Sequence, residues 1–387
     1  MDSTPKILHI IDDLKLGGAQ IILLSALKWA SRHYSVRHHV VSLIGDSSIT
    51  NEIQKLGIST EALHLGNSLV SKNFFRVSRS IREVIEREKP SLVETHLTYS
   101  RIIGLPTAAL ANVVKRYAFE HGDLYLDNIK WRAGNFLSQF FADQIFMCSQ
   151  ALADIMIQRN KFFKKKVSVL HNCIDPTSFK VAVGKIDREK EFGMNSTTFI
   201  FCSVGTLGKG VNKRVDISIR AIAEARNRGS DVGLVVCGDG DQLKDLVELA
   251  KSLKIGNYVR FLGTRRDIPD VLAACDGFVH AAPFEPFGLV VLEAMLMGLP
   301  VLVPKSGGIQ EILSEGEEGY YYTPLDFDEL AKRMIELSSR PDVAEKMGKN
   351  GRELVIAKFH IRNYVDRLYL AYGYEKFKAE KNIRTRS

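Results

Sequence analysis

Short apolar runs alternate with amphipathic stretches through the first half of the chain. Lys6–Ile11, His38–Leu43, Ser91–His96, Lys115–Phe119, Gln144–Cys148 and Val167–His171 read as strands. The stretches between them, among them Ala19–Ser31, Phe74–Glu88, Arg101–Ala111 and Asn128–Phe141, carry the 3.6-residue periodicity of helices. Strands that alternate with helices predict a parallel sheet covered on both faces. From Asp175 to Ser196 the alternation lapses, and Pro176, Gly184, Gly193 and several charges take its place. It then resumes with Phe199–Val204, Val232–Cys237, Tyr258–Leu262, Gly277–His280 and Val301–Val303.

The pattern therefore predicts an α/β protein of two doubly wound, Rossmann-like domains facing a cleft. The first spans residues 1–175, a linker or hinge 176–196, and the second domain 197–358. Residues 359–387 form a C-terminal helical tail, rich in tyrosine, that is expected to pack back on the first domain. Ligands of such sheets sit beyond the carboxyl ends of the strands, so the loops there are the place to look for chemistry.

Composition narrows the class. A chain of 387 residues that is 45% hydrophobic and 25% charged has the composition of a globular protein long enough for two cores. Its five cysteines are scattered and form no CxxC pair, which fits a reducing compartment such as the cytoplasm better than a disulfide framework or zinc site. No basic-then-apolar leader precedes Lys6, and no apolar run approaches the length of about 18 residues that crosses a bilayer. The expectation is a cytoplasmic protein, soluble or peripheral at the inner face of a membrane.

The net charge of +8 is concentrated in the first half, where residues 1–180 hold 23 Lys and Arg against 16 Asp and Glu. Arg159 to Lys166 adds a basic run containing Phe162 and Phe163. It reads either as a solvated loop or as a foothold on anionic lipid, where each basic residue contributes about 1 kcal/mol. Spread over a half-chain with no recognition module, the charge does not point to nucleic acid.

The densest chemistry lies between Glu285 and Glu293. Pro286 biases Glu285 toward an extended conformation, Gly288 permits a tight turn, and the apolar run from Leu289 begins a helix. Backbone N–H groups at Phe287, Gly288 and Leu289 would then face a diphosphate at the helix mouth. Two carboxylates beside it would accept hydrogen bonds from sugar and ribose hydroxyls. The plain alternative is a loop glutamate followed by a surface glutamate on an amphipathic helix. Gly17 and Gly18, after the first strand, open a turn where backbone amides approach a ligand, or simply a turn.

The pair Glu285 and Glu293, with Phe287 and Gly288 between them and Gly298, Pro300 and Val301 after, resembles the EX7E motif of family 4 glycosyltransferases. These are retaining enzymes with the GT-B fold. The resemblance runs over nearly the whole chain: Gly17 and Gly18; His121 in Phe119–Gly122; Asn172 to Asp175; Gly238 to Gly240; Gly263; and Gly307 to Glu311 fall in the family's order. It implies a retaining hexosyl transfer from a nucleotide-sugar, UDP- or GDP-linked, to a glycan, lipid-linked or other hydroxyl acceptor. Bacterial surface polysaccharide or lipopolysaccharide synthesis is the implied setting, with the acceptor on the first domain and the donor on the second. His121 would approach the transferred sugar, Glu285 its hydroxyls, and Glu293 the ribose.

The family's arginine after the first strand of the second domain is replaced by Thr206. Lys213 aligns with the family's diphosphate lysine, with Lys209 as the rival, and Arg214 is the candidate replacement for the missing cation. Asp239, Gly240 and Asp241 match a metal-binding DxD in form, but a turn with Asp241 as helix N-cap explains them better. No other spacing suggests a metal, so neither a metal nor another cofactor is expected. The rival readings are a nucleotide-sugar epimerase of the same fold, a dinucleotide oxidoreductase, which would want a third glycine after Gly17 and Gly18, and a degenerate binding subunit.

Overall fold

The computed structural model describes residues 4–64, 74–122, 129–179, 186–208 and 213–377. The chain folds into two compact units, Met1–Cys173 with Ile361–Ser387, and Ile174–His360.

The first unit is built on a seven-stranded parallel sheet of order β3-β2-β1-β4-β5-β6-β7. Its strands are β1 Lys6–Ile11, β2 Arg37–Ser42, β3 Ser59–Ala62, β4 Leu92–His96, β5 Lys115–Glu120, β6 Gln144–Met147 and β7 Val167–Val169. The central strands are buried on both faces. Leu8 and Ile10 pack with Val77, Ile81 and Ile103 on one side, and Ile11 packs with Leu23 and Leu27 on the other. Edge strand β3 escapes the sequence pattern because its four residues include Ser59, Thr60 and Glu61 and no apolar run.

The stretch expected as one helix over Arg101–Ala111 is a π-helical segment Ser100–Gly104 followed by an α-helix Leu105–Leu110. Buried Arg101 explains why this segment is special: its guanidinium lies 2.9 Å from Glu120 and bonds the Phe119 carbonyl. The helix Ile361–Tyr372 belongs to this unit. Asp366 accepts from the Tyr34 hydroxyl at 2.7 Å, and the Tyr372 hydroxyl donates to buried Glu94.

The second unit carries a six-stranded parallel sheet of order β10-β9-β8-β11-β12-β13. Its strands are β8 Phe199–Val204, β9 Val232–Cys237, β10 Val259–Gly263, β11 Gly277–Val279, β12 Val301–Pro304 and β13 Gly319–Tyr322. The stretch read as linker carries a short helix of its own. Asp187 caps a helix Arg188–Phe192, Phe192 is buried, and Arg188 grips Asp276 at 2.6 Å. Ile174 pairs with His360, and its N–H donates to the Phe359 carbonyl at 2.9 Å, so the ends of this unit lie side by side. No helix among the described residues is long and apolar enough to cross a membrane.

In both sheets the strand order reverses once, between β1 and β4 and between β8 and β11. Such switch points open a crevice at the carboxyl ends of the strands. In the second unit the helix after β11, Leu289–Leu296, is fixed from behind by the helix Pro341–Lys358. Gly348 on that helix lies against the Gly298 carbonyl, and Gly351 against Met295. A Cβ at Gly348 would collide with that carbonyl oxygen. Gly348→Ala should destabilise the protein by about 1–3 kcal/mol in urea unfolding, as overpacking does. An unchanged midpoint would mean this contact does not set the helix position.

Candidate active site

Three side chains converge at the switch point of the second sheet. Lys213 precedes the helix Val215–Asn227 that follows β8 in sequence, and β11 runs into His280 and then Glu285. The Lys213 Nζ lies 2.7 Å from Glu285 Oε2, and His280 Nε2 lies 3.1 Å from the same oxygen. The backbone is shaped to allow this. Gly307, at φ +58, admits no Cβ because one would strike the Glu285 carbonyl, while the Gly308 N–H donates to that carbonyl at 3.0 Å.

Burial alone would raise the Glu285 carboxyl. The His280 and Lys213 contacts outweigh it and bring the group down to about 2, so it is ionised. His280 is itself fixed by the Tyr322 hydroxyl, which donates to its backbone carbonyl at 2.8 Å. His280 is the residue that motif reading missed. Its place one position past the last strand residue of β11 was the available signal.

Glu293 sits within the helix Leu289–Leu296, one turn past its start. It has no hydrogen-bond or ion-pair partner among the described residues, and burial pushes its carboxyl up to about 7. The helix start at Gly288, φ +98, has no side-chain cap, leaving its first amides for an external anion. Leu289 opens that helix, whereas the Phe287 ring is buried against Phe359, so only the backbone of Phe287 faces the site.

Arg214 is committed elsewhere. It caps the helix Val215–Asn227 in a left-handed conformation, and its guanidinium is held by Asp216 at 2.8 and 2.9 Å. Its charge is thus half neutralised locally, which weakens its case as the substitute for the arginine missing at exposed Thr206. Lys209 lies outside the described residues. Among the described residues, Asp239 and Asp241 belong to no group of three possible metal ligands. Gly240, at φ +154, packs against the Leu207 backbone, and the helix that follows begins at Leu243 with Gln242 as its cap, so Asp241 is not the N-cap.

On the first unit, Gly17 caps the helix Gly18–His33 in an extended conformation with no side-chain cap. Nearby Asp12 accepts from the Tyr99 and Ser100 amides at 2.9 and 2.6 Å, which joins the loops after β1 and β4. His121, just past β5, has no hydrogen-bond partner on either ring nitrogen among the described residues. Burial, helped by His96 and Arg101, lowers its imidazole to about 3, so it stays neutral at physiological pH. The sequence thus placed Lys213, Glu285 and Glu293 in one unit with Thr206, Arg214 and Phe287–Leu289, while Gly17, Gly18 and His121 belong to the other.

Comparison with known proteins bears on this geometry. The profile of the "Glycosyltransferase Family 4" domain matches residues 16–178, and that of "Glycosyl transferases group 1" matches residues 185–354. The two matches follow one another along the chain, one on each unit. The chain belongs to the family 4 glycosyltransferases. It is 26% identical over 297 residues to the Escherichia coli UDP-Gal:alpha-D-GlcNAc-diphosphoundecaprenol alpha-1,3-galactosyltransferase, covering 75% of this chain and 76% of that one. It is 30% identical over 219 residues to the Bacillus anthracis N-acetyl-alpha-D-glucosaminyl L-malate synthase, covering 56% of each. Among solved structures, Anabaena Alr3699/HepE in complex with UDP-glucose superposes with a TM-score of 0.82 at 23% identity, covering 95% of this chain and 99% of that one. This glycosyltransferase therefore has the GT-B fold.

The isolated Glu293 carboxyl gives a stability test. Its pKa is raised in the folded state from 4.5 to about 7, so the native protein binds the extra proton and loses stability as pH rises through that window. Glu293→Gln, neutral at every pH, should match wild type in melting temperature near the bottom of the window. Above it the variant should melt higher than wild type. Parallel curves across the window would show that Glu293 is not isolated in this way.

Proposed function

We propose that this glycosyltransferase transfers a hexosyl group with retention from a UDP-linked donor, without a metal, to a lipid-linked or glycan acceptor. The observation that carries the reading is Lys213 resting on ionised Glu285 at the uncapped start of the helix Leu289–Leu296. The bound UDP-glucose of the Anabaena structure and the undecaprenol-linked substrate in the Escherichia coli relative's name support the donor and acceptor classes.

In this reading the donor's C1–O bond breaks and its electron pair leaves on the β-phosphate oxygen. Lys213 and the helix-start amides stabilise that charge as it develops, the preorganised effect that dominates such sites. Glu285, relieved of part of its lysine contact, accepts hydrogen bonds from sugar hydroxyls, with His280 holding its other approach. Glu293, as the anion, accepts from the ribose. The neutral imidazole of His121 suits a sugar hydroxyl rather than a phosphate. The acceptor oxygen bonds to C1 on the face the phosphate leaves, and its proton passes to the departing phosphate oxygen. No protein base is needed for that step.

Binding and turnover separate the parts. UDP should raise the melting temperature more than GDP, ADP or TDP, equally with and without EDTA; at a hundredfold excess over Kd the stabilisation is about 2.7 kcal/mol. Lys213→Ala should cut UDP-sugar hydrolysis or transfer roughly 100- to 1000-fold, the loss seen when one transition-state donor is removed. Glu285→Gln should lower kcat while leaving the UDP shift intact. A Lys213→Ala variant of full activity, or nucleotide shifts that vanish in EDTA, would refute the reading.

A peripheral, inner-face location is part of the same proposal. Phe162 is 84% exposed and Phe140 51%, and these aromatics lie beside Lys161, Lys164 and Lys165. Phe163, by contrast, is buried and packs 4.9 Å from Phe140, so the patch is anchored rather than loose. Phe162→Ser with Lys164→Ser and Lys165→Ser should reduce sedimentation with phosphatidylglycerol vesicles and leave UDP-sugar hydrolysis in solution unchanged. Equal sedimentation of variant and wild type would remove the lipid foothold.

A further inference from the structure

A second cluster of reactive side chains lies in the first unit, behind His121, on whose ring His96 stacks at 6.0 Å. His9 in β1 pairs in register with Glu94 in β4. His96 follows two residues on and so faces the same side of the sheet. All three are buried, at 4%, 2% and 4% exposure. Glu94 Oε2 lies 2.9 Å from His9 Nδ1 and 3.3 Å from His96 Nε2, and the three ligand atoms lie within 4.8 Å of one another.

These separations are those of close imidazole–carboxylate pairs whose angles fall outside ordinary hydrogen-bond geometry. His9 Nδ1 and both nitrogens of His96 have no hydrogen-bond partner among the described residues. Buried polar atoms left in that state need an explanation. The outward-facing atoms of His9 and Glu94 are, by contrast, satisfied. His9 Nε2 meets His38 Nδ1 at 2.9 Å, His38 Nε2 meets the Tyr369 hydroxyl at 3.0 Å, and the Tyr372 hydroxyl donates to Glu94 Oε1. An outer hydrogen bond on the far nitrogen is what fixes an imidazole tautomer so that its other lone pair can bind a metal.

Geometry and space agree. Bonds of about 2.0–2.2 Å place neighbouring ligand atoms about 2.8–3.6 Å apart around a six- or four-coordinate ion, and the two separations from Glu94, 2.9 and 3.3 Å, fall within that range. A cavity of about 20 Å³ is lined by His9, His38, Glu94 and His96 and roofed by Leu23 and Leu368. That is room for about one water-sized ligand. Two imidazoles and one carboxylate suit Zn²⁺ or a similar transition ion, not the all-oxygen shells of Ca²⁺ and Mg²⁺.

We propose that His9 Nδ1, Glu94 Oε2 and His96 Nε2 bind one divalent transition-metal ion, Zn²⁺ in type, with a cavity water completing its shell. The ion supplies a positive charge beside the buried Glu94 carboxylate. The rival is a proton held between an imidazole and Glu94 at the same two separations, and it is the outcome in which no metal is found. Apolar side chains of the helices Gly18–His33 and Ile361–Tyr372 close the cavity. The ion is therefore structural, and through Glu94 and Tyr372 it secures the returning C-terminal helix to the sheet. It takes no part in sugar transfer, so the proposal stands or falls apart from the functional reading.

The test uses tag-free full-length protein purified without chelator. Elemental analysis should find about one Zn²⁺ per chain, as a closed three-residue site holds its ion through purification. Protein unfolded in EDTA and refolded with Co²⁺ should gain visible d–d bands and melt higher than the metal-free refolded protein. The His9→Gln, His96→Gln double variant should lose both signals. If that variant does not fold, X-ray absorption of the wild-type zinc protein should still show two imidazoles and an oxygen shell. Metal-free wild type that gains neither bands nor stability with Co²⁺ overturns the proposal. So does a variant that keeps its ion, or a shell without imidazole.

Discussion

The carboxylate of Glu285 is the constraint around which the second unit is arranged. A buried anion must be paired, and here one oxygen is shared by Lys213 from the loop after β8 and His280 from the end of β11. These strands flank the point where the sheet order reverses, so one ion pair closes the crevice that the topology opens. The glycines nearby follow from that requirement. Gly307 leaves room for the Glu285 main chain, Gly288 turns the chain into the helix, and Gly205 packs a bare backbone against the Lys213 stem. Removing either partner would leave an uncompensated charge, a loss larger than the pair's own net contribution.

The two glutamates of the motif are electrostatic opposites. Glu285 is held ionised by cations, whereas Glu293, eight residues on, has only burial acting on it and titrates near neutrality. An unpartnered carboxyl half-hidden beside a helix start is costly for stability. It makes sense where a ligand supplies the missing hydrogen bonds, as a ribose would.

Much of this was legible in the sequence, for identifiable reasons. Strands β1, β8 and β9 are predominantly apolar, and their bounds fall where the pattern places them. The family-order motifs led to Glu285, Glu293 and Lys213. What escaped was non-local or locally atypical. Polar β3 carries no apolar run, and the π-helical segment at Ser100 depends on a buried Arg101–Glu120 pair. The commitment of Arg214 to Asp216 is a rotamer choice that spacing cannot express. His9 in β1 is separated by more than 80 residues of sequence from Glu94 and His96 in β4, and only strand register brings the cluster together.

The central claim is that a nucleotide-sugar bond is broken at the Lys213–Glu285 site with retention and without a metal. Proton NMR of UDP-sugar hydrolysis, run in EDTA and read before mutarotation, tests it most directly. The account predicts that the first sugar released carries the donor's own anomeric configuration, and that Lys213→Ala abolishes its appearance. Release of the opposite anomer, or no release until a divalent metal is added, would contradict it.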